Sequence, residues 1–204
     1  GGSVNYVKKL TASFASKIKL NEKIQSIDRK SDHVIIQFRD RTEKFDWVFF
    51  ACHSDEALKL IKSPTQDEKN TLRAIPYTDN EVILHYDESF MPKRKLAWAA
   101  WNYVRSENEQ QESSRVCLHY LLNKLQPLPY SQAVVVSLNP TQTIDPKKII
   151  QTIDYAHPVF DLPAIDAQQH LHQIQGQQHT WYAGAWLGYG FHEDGLKSGL
   201  SVAR

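Results

Sequence analysis

Four of the eight glycines in this chain lie close together, in the stretch WLGYGFHEDGLKSGLSVAR (186–204). Residues 180–186 before them have strand character, and the sequence from Glu193 onward has the pattern of a helix start. A strand, a glycine turn and a helix start present backbone N–H groups to an anion or a polar ring, because the first turn of a helix carries partial positive charge. The pattern alone fits a structural turn and a ligand-binding turn equally well.

Histidine and cysteine patterns offer no catalytic or metal site. His170 and His172 lie two residues apart in a predicted helix, so they face different directions and do not share a metal. The segment HEDG (192–195) lacks the second histidine of the H-E-x-x-H motif. Cys52 and His53 are neighbours on a predicted strand, which argues against a side-by-side nucleophile pair. We therefore predict no metal site and leave the catalytic residues unassigned.

The composition excludes several classes of protein. The 204 residues are 41% hydrophobic and carry a net charge of +1, which gives no reason to expect a nucleic-acid partner. No apolar run approaches the roughly 18 residues that span a bilayer. Cys52 and Cys117 lie in apolar stretches, which favours buried thiols and a cytoplasmic location. Because Met91 is the only methionine, we expect the chain to be a piece of a longer protein.

In the first third of the chain, the sequence pattern predicts a helix, then several strands, then two short helices. A helix starts at Ser3, and its apolar residues repeat at helical spacing: Val7, Leu10, Phe14 and Ile18. Two strands, 23–28 and 33–40, follow as a hairpin. Residues 47–52 are apolar on both faces, which indicates a strand buried on both sides, as in a parallel sheet. Short helices are expected next, over 54–61 and 65–74.

After Pro76 the sequence pattern changes to short apolar segments joined by polar loops. Successive strands of this kind favour an antiparallel sheet. The predicted strands are 81–87, 96–104, 116–122 and 133–139, with a solvent loop over 105–115. Residues 147–160 are ambiguous, with a preference for strand, and 163–175 read as a helix. The overall prediction is an α+β fold.

Residues 182–203, YAGAWLGYGFHEDGLKSGLSVA, resemble the carboxy-terminal flavin-binding segment of the FAD-dependent amine oxidase superfamily. Within it, the sequence is similar to a bacterial branch of predicted NAD/FAD-binding oxidoreductases. Further stretches agree in order along nearly the whole chain: 1–10, 20–38, 45–61, 97–103, 122–128 and 136–140.

The resemblance implies bound FAD and a two-part protein. The family's amino-terminal Rossmann half, with its G-x-G-x-x-G motif, is not in this sequence, so that half is an expected partner. Residues 1–53 and 178–204 are expected to be the remnant of the FAD-binding domain, with a Rossmann-like strand–turn–helix. Residues 54–177 are expected to be the substrate-binding domain, with a mixed or antiparallel sheet and helices.

The resemblance also implies site residues. The expected cofactor-binding residues are Lys23, Ile24, Ala51, Gly184, Gly190, Phe191, His192, Glu193, Asp194 and Gly195. His53 matches the same strand end as Ala51, and Ala185 stands where superfamily members commonly have an acid. The residues expected to line the pocket for a small-molecule substrate are Trp98, Trp101, Asn102 and Tyr103.

By this resemblance the parent protein would oxidise a C–N or C–C bond by hydride transfer to FAD. One alternative is a flavin-dependent desaturase or isomerase acting on a lipid or isoprenoid. Another is a binding domain without a cofactor. The isolated chain is expected to be inactive, because the other half would carry much of the cofactor site.

Overall fold

The computed structural model describes residues 2–104 and 117–204, which have an α+β fold divided into two compact units. The described residues of Gly1–Ile18 and Asp79–His157 form one unit, called here the sheet unit. Residues Lys19–Thr78 and Pro158–Arg204 form the other, called the turn unit. The boundaries expected after residues 53 and 177 both lie inside the turn unit. The cofactor and substrate roles expected for the two parts stay predictions.

The strands of the described residues are β1 (Ile24–Arg29), β2 (Val34–Phe38), β3 (Thr42–Phe45), β4 (Val48–Phe50), β5 (Tyr77–His85), β6 (Trp101–Tyr103), β7 (Leu118–Leu121), β8 (Val135–Leu138), β9 (Ile149–Pro158) and β10 (Thr180–Tyr182). The α-helices are α1 (Ser3–Thr11), α2 (Ser54–Leu60), α3 (Gln66–Arg73), α4 (Leu122–Leu125), α5 (Leu162–His170) and α6 (His192–Ala203). Short 3-10 turns occupy Ala12–Lys17, Glu88–Phe90, Lys95–Ala97, Pro146–Lys148, Leu171–Gln173, Gln177–His179 and Ala185–Leu187.

The sheet unit is built on a five-stranded sheet in the order β6-β7-β8-β5-β9. The pairs β6–β7, β7–β8 and β5–β8 are antiparallel, as predicted. The ambiguous segment 147–160 is a strand, β9, over most of its length. The loop expected over 105–115 lies outside the described residues.

Two strand predictions in the sheet unit are too long. The strand expected over 96–104 is limited to Trp101–Tyr103, because the Asn102 amide bonds back to Ala99 N (3.0 Å) and Ala99 O (2.7 Å) and closes a turn before the strand. The strand expected over 116–122 begins at Leu118 and passes into α4 at Leu122.

Helix α1 forms where predicted, but its apolar stripe is not buried. The side chains at helical spacing are between 43% and 65% exposed: Val7, Leu10, Phe14 and Ile18. The chain leaves the α-helical geometry after Thr11 and continues as a 3-10 turn.

The turn unit combines an antiparallel sheet, β1-β2-β3, with a parallel pair, β4 and β10. The parallel arrangement predicted for 47–52 is therefore confirmed. Alternate residues of both paired strands enter the core, where Phe50 stacks on Tyr182 at 5.5 Å between ring centroids. Helix α3 starts at the predicted capping box, in which Thr65 accepts from Glu68 N and the Glu68 carboxylate accepts from Thr65 N.

Candidate functional site

The carboxyl ends of β4 and β10 lie at one edge of the turn unit, because the two strands are parallel. Ala183 N donates to Phe50 O at 2.8 Å, and the Trp186 indole N–H donates to Cys52 O at 3.1 Å. Ligands of open parallel sheets bind outside the carboxyl ends of the strands. Two of the expected cofactor residues, Ala51 and Gly184, directly follow these ends, so this edge is the candidate site.

A compact glycine turn leads from β10 to α6. A Cβ on Gly184 would lie 2.5 Å from Trp186 Nε1, and a Cβ on Gly188 would lie 2.5 Å from Asp194 Cγ. Gly190 has φ +87°, in the left-handed region that side chains other than glycine rarely adopt. Three of the glycines are therefore required by the internal packing and conformation of the turn.

Many of the backbone amides in this turn, which the sequence pattern suggested would be free for a ligand, are bonded within the chain. Asp194 Oδ2 accepts two of them, from Tyr189 N (3.1 Å) and Phe191 N (3.0 Å). The others that bond within the chain are Gly184 N to Ser198 Oγ (2.9 Å), Leu187 N to Gly184 O (3.2 Å), Gly188 N to Ala185 O (3.1 Å), Gly190 N to Ala185 O (3.1 Å), Asp194 N to Phe191 O (3.0 Å) and Gly195 N to Phe191 O (3.2 Å). The acid at the start of α6 thus closes the turn that the sequence suggested would hold a ligand.

The turn and α6 have an open outer surface that combines apolar side chains with the exposed charged pair Glu193 and Lys197. Its exposed apolar side chains are Tyr189, Phe191, Leu196 and Leu200, and α6 has no buried residue. A Cβ on Gly199 would meet nothing within 4 Å, and one on Gly195 would reach Ala185 N only at 3.8 Å. The apolar part of this surface fits the face of a flat ring. It is a poor match for a pyrophosphate, because Asp194 accepts from two amides of the turn and two acids, Glu193 and Asp194, stand in the first turn of α6.

Two alanine substitutions test which glycines lack room for a side chain and which have open space beside them. Gly188→Ala is expected to destabilise the turn unit by about 1–3 kcal/mol, because the methyl group displaces Asp194 from the two amides it accepts. Gly199→Ala, at a helical position with open space, is expected to stabilise it by about 0.5–1 kcal/mol. Urea unfolding of the chain measures both. Equal effects of the two substitutions would contradict this account of the turn.

Lys23 and Ile24 belong to the same unit as the turn and lie at the start of β1, where both are exposed. Lys23 O accepts from Arg39 N at 3.0 Å. His192 is exposed at the first position of α6, and His53 stacks on Tyr77 at 4.4 Å. Contact of these residues with a cofactor stays a prediction.

The expected substrate residues all lie in the sheet unit but do not share one surface. Asn102 is buried, and its amide also donates to His119 O at 3.2 Å. Trp98 is half-buried and donates its indole N–H to Pro92 O at 2.7 Å. The two remaining side chains, Trp101 and Tyr103, are exposed on the other face of β6. Their binding of a substrate stays a prediction.

A buried polar chain in the sheet unit was missed by the sequence analysis. Ser137 Oγ lies 2.7 Å from both His85 Nε2 and His119 Nδ1, and His119 Nε2 lies 3.7 Å from Cys117 Sγ. Asp87 N donates to His85 Nδ1 at 3.0 Å. The residues lie on three strands that were predicted, but only the register between the strands brings them together.

Metal-binding clusters and membrane-spanning helices are both absent from the described residues. No group of three or more histidine, cysteine or acidic side chains is placed to hold a metal ion. No helix within residues 2–104 and 117–204 has the length and apolarity to cross a membrane.

Comparison with known proteins gives structural relatives only. No protein-family model matches the chain, and no curated protein matches it. The CLA-producing fatty acid isomerase from P. acnes has a similar structure, with a TM-score of 0.71 at 18% identity, over 100% of this chain and 52% of that one. The cyclohexylamine oxidase from Brevibacterium oxydans IH-35A is similar with a TM-score of 0.63 at 12% identity, over the same shares.

The chain therefore spans about half the length of these two structures. Its fold is shared with about half of each of them, in agreement with the fold that the sequence resemblance implied.

Proposed function

We propose that this chain is the carboxy-terminal portion of an FAD-dependent oxidoreductase of the amine-oxidase type. The observation that carries the proposal is the agreement of the whole chain with half of the cyclohexylamine oxidase structure. The glycine turn at the carboxyl edge of a parallel pair supports it, since that edge is where such sheets bind nucleotide cofactors. The missing portion would be the amino-terminal Rossmann half of the same protein.

In this proposal the chain would contact only a restricted part of the cofactor. Bound FAD would accept a hydride from a C–H bond of a small-molecule substrate, and the C–N or C–C bond at that carbon would be oxidised to a double bond as the neighbouring atom loses a proton. The open surface at Gly190, Gly195 and Phe191 would lie against the ring, and the positive end of the α6 dipole would face it. Because Asp194 accepts from two of the turn amides and places an acid at the start of α6, the pyrophosphate would be bound by the other half.

The residues of this chain would position the cofactor rather than transfer protons. In the turn itself, the exposed aromatic side chains Tyr189 and Phe191 would exclude water from the ring edge once the other half is present. The carboxylates Glu193 and Asp194 would keep a second anion away from the start of α6. Lys23, Ile24 and Ala51 would contact the remainder of the cofactor.

A second candidate is a flavin-dependent isomerase or desaturase acting on a lipid. It is supported by the fatty acid isomerase, whose structure agrees with this chain at a higher TM-score, 0.71 against 0.63. The two candidates share the cofactor and differ in the substrate.

The proposal predicts that the complete polypeptide purifies with FAD. Visible flavin absorbance and chromatography of the cofactor released by denaturation measure this. Anaerobic bleaching by primary amines would support the oxidase, and isomerisation of an unsaturated fatty acid without net bleaching would support the second candidate. A colourless polypeptide that does not take up added FAD would overturn both and leave a binding domain without cofactor.

A matched pair of variants tests the ring surface in the complete polypeptide. Gly195→Ala is tolerated by the chain, because the new methyl group makes only an ordinary contact. It is expected to weaken FAD binding about tenfold, which corresponds to about 1.4 kcal/mol. Gly199→Ala, one turn further along α6, is the control and should leave FAD binding unchanged.

A further inference from the structure

The parallel pair β4 and β10 has two different faces. On one face Val48, Phe50 and Tyr182 are buried in the core of the turn unit. On the other face Trp47 is 52% exposed and Phe49 is 55% exposed. The half-buried Trp181 joins them, with ring centroids 4.6 Å from Trp47 and 5.3 Å from Phe49. The three residues Trp47, Phe49 and Trp181 are called here the aromatic face.

The exposure of the aromatic face disagrees with the sequence pattern. Residues 47–52 are apolar on both faces, and this pattern is typical of strands covered on both sides. Within the part of the chain that the structure describes, β4 and β10 pair only with each other. On the aromatic face His179 packs edge-on against Trp47, but Trp47 and Phe49 stay about half exposed. Parallel sheets are found almost entirely with both faces covered, so a further cover is expected over this face.

We infer that the aromatic face is covered by the half of the parent polypeptide that this chain does not contain. The inference rests on the proposed function, because that proposal supplies the missing half. In both similar structures this chain corresponds to 52% of the length, so about as much polypeptide again is available as a cover. The three rings carry no charge, so the covering segment is apolar where it contacts them.

The aromatic face is too small to hold a second copy of this chain in a stable dimer. Three aromatic side chains, each of about 150–250 Å² and about half exposed, offer roughly 300 Å². A stable interface between separate chains takes roughly 800 Å² from each partner. A cover that belongs to the same polypeptide needs less area, because the linkage already raises its local concentration.

Hydroxyl-radical footprinting of the complete polypeptide tests the inference. Protection of each residue is measured against the urea-unfolded polypeptide. Trp47 and Phe49 are expected to be protected as strongly as Trp186 and Phe50, which are buried within this chain. Protection of Trp47 that stays at the level of a half-exposed side chain would overturn the inference. Protection that disappears on dilution would also overturn it, since it would indicate a second copy.

A charged substitution adds a directed test. Phe49→Lys in the complete polypeptide is expected to abolish the protection of Trp47, while protection of Phe50 shows that the core stays folded. Leu162→Lys, at a side chain that is 81% exposed in the same unit, is the control and should change nothing. If Phe49→Lys leaves Trp47 fully protected, the cover does not contact this face and the inference fails.

Flavin content separates this inference from the proposed function. A polypeptide without FAD in which Trp47 and Phe49 are protected would refute the function and support the cover. A polypeptide with bound FAD in which both residues react freely would refute the cover alone.

Discussion

Replacing Glu68 by alanine is expected to destabilise the turn unit by about 3–5 kcal/mol, because it leaves the buried Arg29 guanidinium without a counter-charge and with only Ser63 O as an acceptor. The side chains of Arg29 and Glu68 are only 2% and 1% exposed, and they pair through both nitrogens and both oxygens. Glu68 also accepts from the Tyr182 hydroxyl at 2.7 Å and from Thr65 N at 2.8 Å. The carboxylate thus joins β1, α3 and β10.

The pKa values around this carboxylate agree with a charged pair. Burial opposes ionisation of Glu68, but the hydrogen bonds from Arg29 and Thr65 outweigh it and hold the pKa of Glu68 below its usual value. Burial and the neighbouring Glu68 raise the pKa of the Tyr182 hydroxyl, so it stays protonated and donates. Tyr182→Phe is therefore expected to cost less than Glu68→Ala, about 1.5–3 kcal/mol.

Urea unfolding followed by hydrogen exchange in α3 and β10 measures these effects. Lys59→Ala is the control, since an exposed pair such as Lys59 with Asp55 contributes little to stability. The double variant Arg29→Met with Glu68→Leu should recover much of the stability, because it leaves no buried charge. A loss below about 1 kcal/mol for Glu68→Ala would show that the pair is not the link described here.

The second large effect is a loss of stability of the sheet unit as the pH falls from about 6.5 to about 4. Burial, followed by the neighbouring His85, lowers the pKa of His119 from 6.5 to about 4. Across that window the unfolded chain binds a proton that the folded chain does not, so the free energy of unfolding decreases with falling pH. The decrease from His119 amounts to about 3 kcal/mol.

The hydrogen-bond partners explain why both rings are neutral. Since Asp87 N donates to His85 Nδ1, the His85 proton is on Nε2 and is donated to Ser137 Oγ. The Ser137 hydroxyl then donates to His119 Nδ1, and the His119 proton on Nε2 points to Cys117 Sγ. A further proton on either ring would break one of these bonds. Burial also lowers the pKa of His85, as it does for His119.

Asp87 acts in a different pH window from the histidines. Burial would raise its pKa, but bonds from Lys148 and Ser89 prevail and set the pKa at about 2. Its contribution to stability is therefore present above its ordinary pKa of 3.8 and is lost only as the pH falls further toward 2.

Hydrogen exchange in β7 and β8 across this pH range measures the effect. His119→Asn retains an acceptor for the Ser137 hydroxyl and does not titrate. The dependence of the free energy of unfolding on pH should therefore decrease by the equivalent of about one bound proton. His172→Gln, at an exposed ring in the other unit, is the control for the removal of a histidine as such. An unchanged slope in His119→Asn would show that the ring does not titrate as proposed.

Local sequence patterns predicted the type and order of most elements and the fold class. The apolar run 47–52 indicated a parallel strand, and β4 pairs in parallel with β10. The alternating segments after Pro76 indicated the antiparallel sheet. The glycines and acids of 186–204 indicated the turn and α6, and their resemblance to a flavin-binding segment indicated the fold now shared with the cyclohexylamine oxidase structure. These features follow from periodicity and from residues adjacent in the chain.

Tertiary structure alone decided which groups are satisfied and which surfaces are open. Asp194 was visible as an acid at a helix start, but only the folded turn shows that it accepts the amides of Tyr189 and Phe191. His119 and Ser137 lie 18 residues apart and meet because β7 and β8 pair in one register. A one-residue shift of that register would turn one of the two side chains to the opposite face. Contacts of this kind depend on strand register and chain packing, which local sequence patterns do not encode.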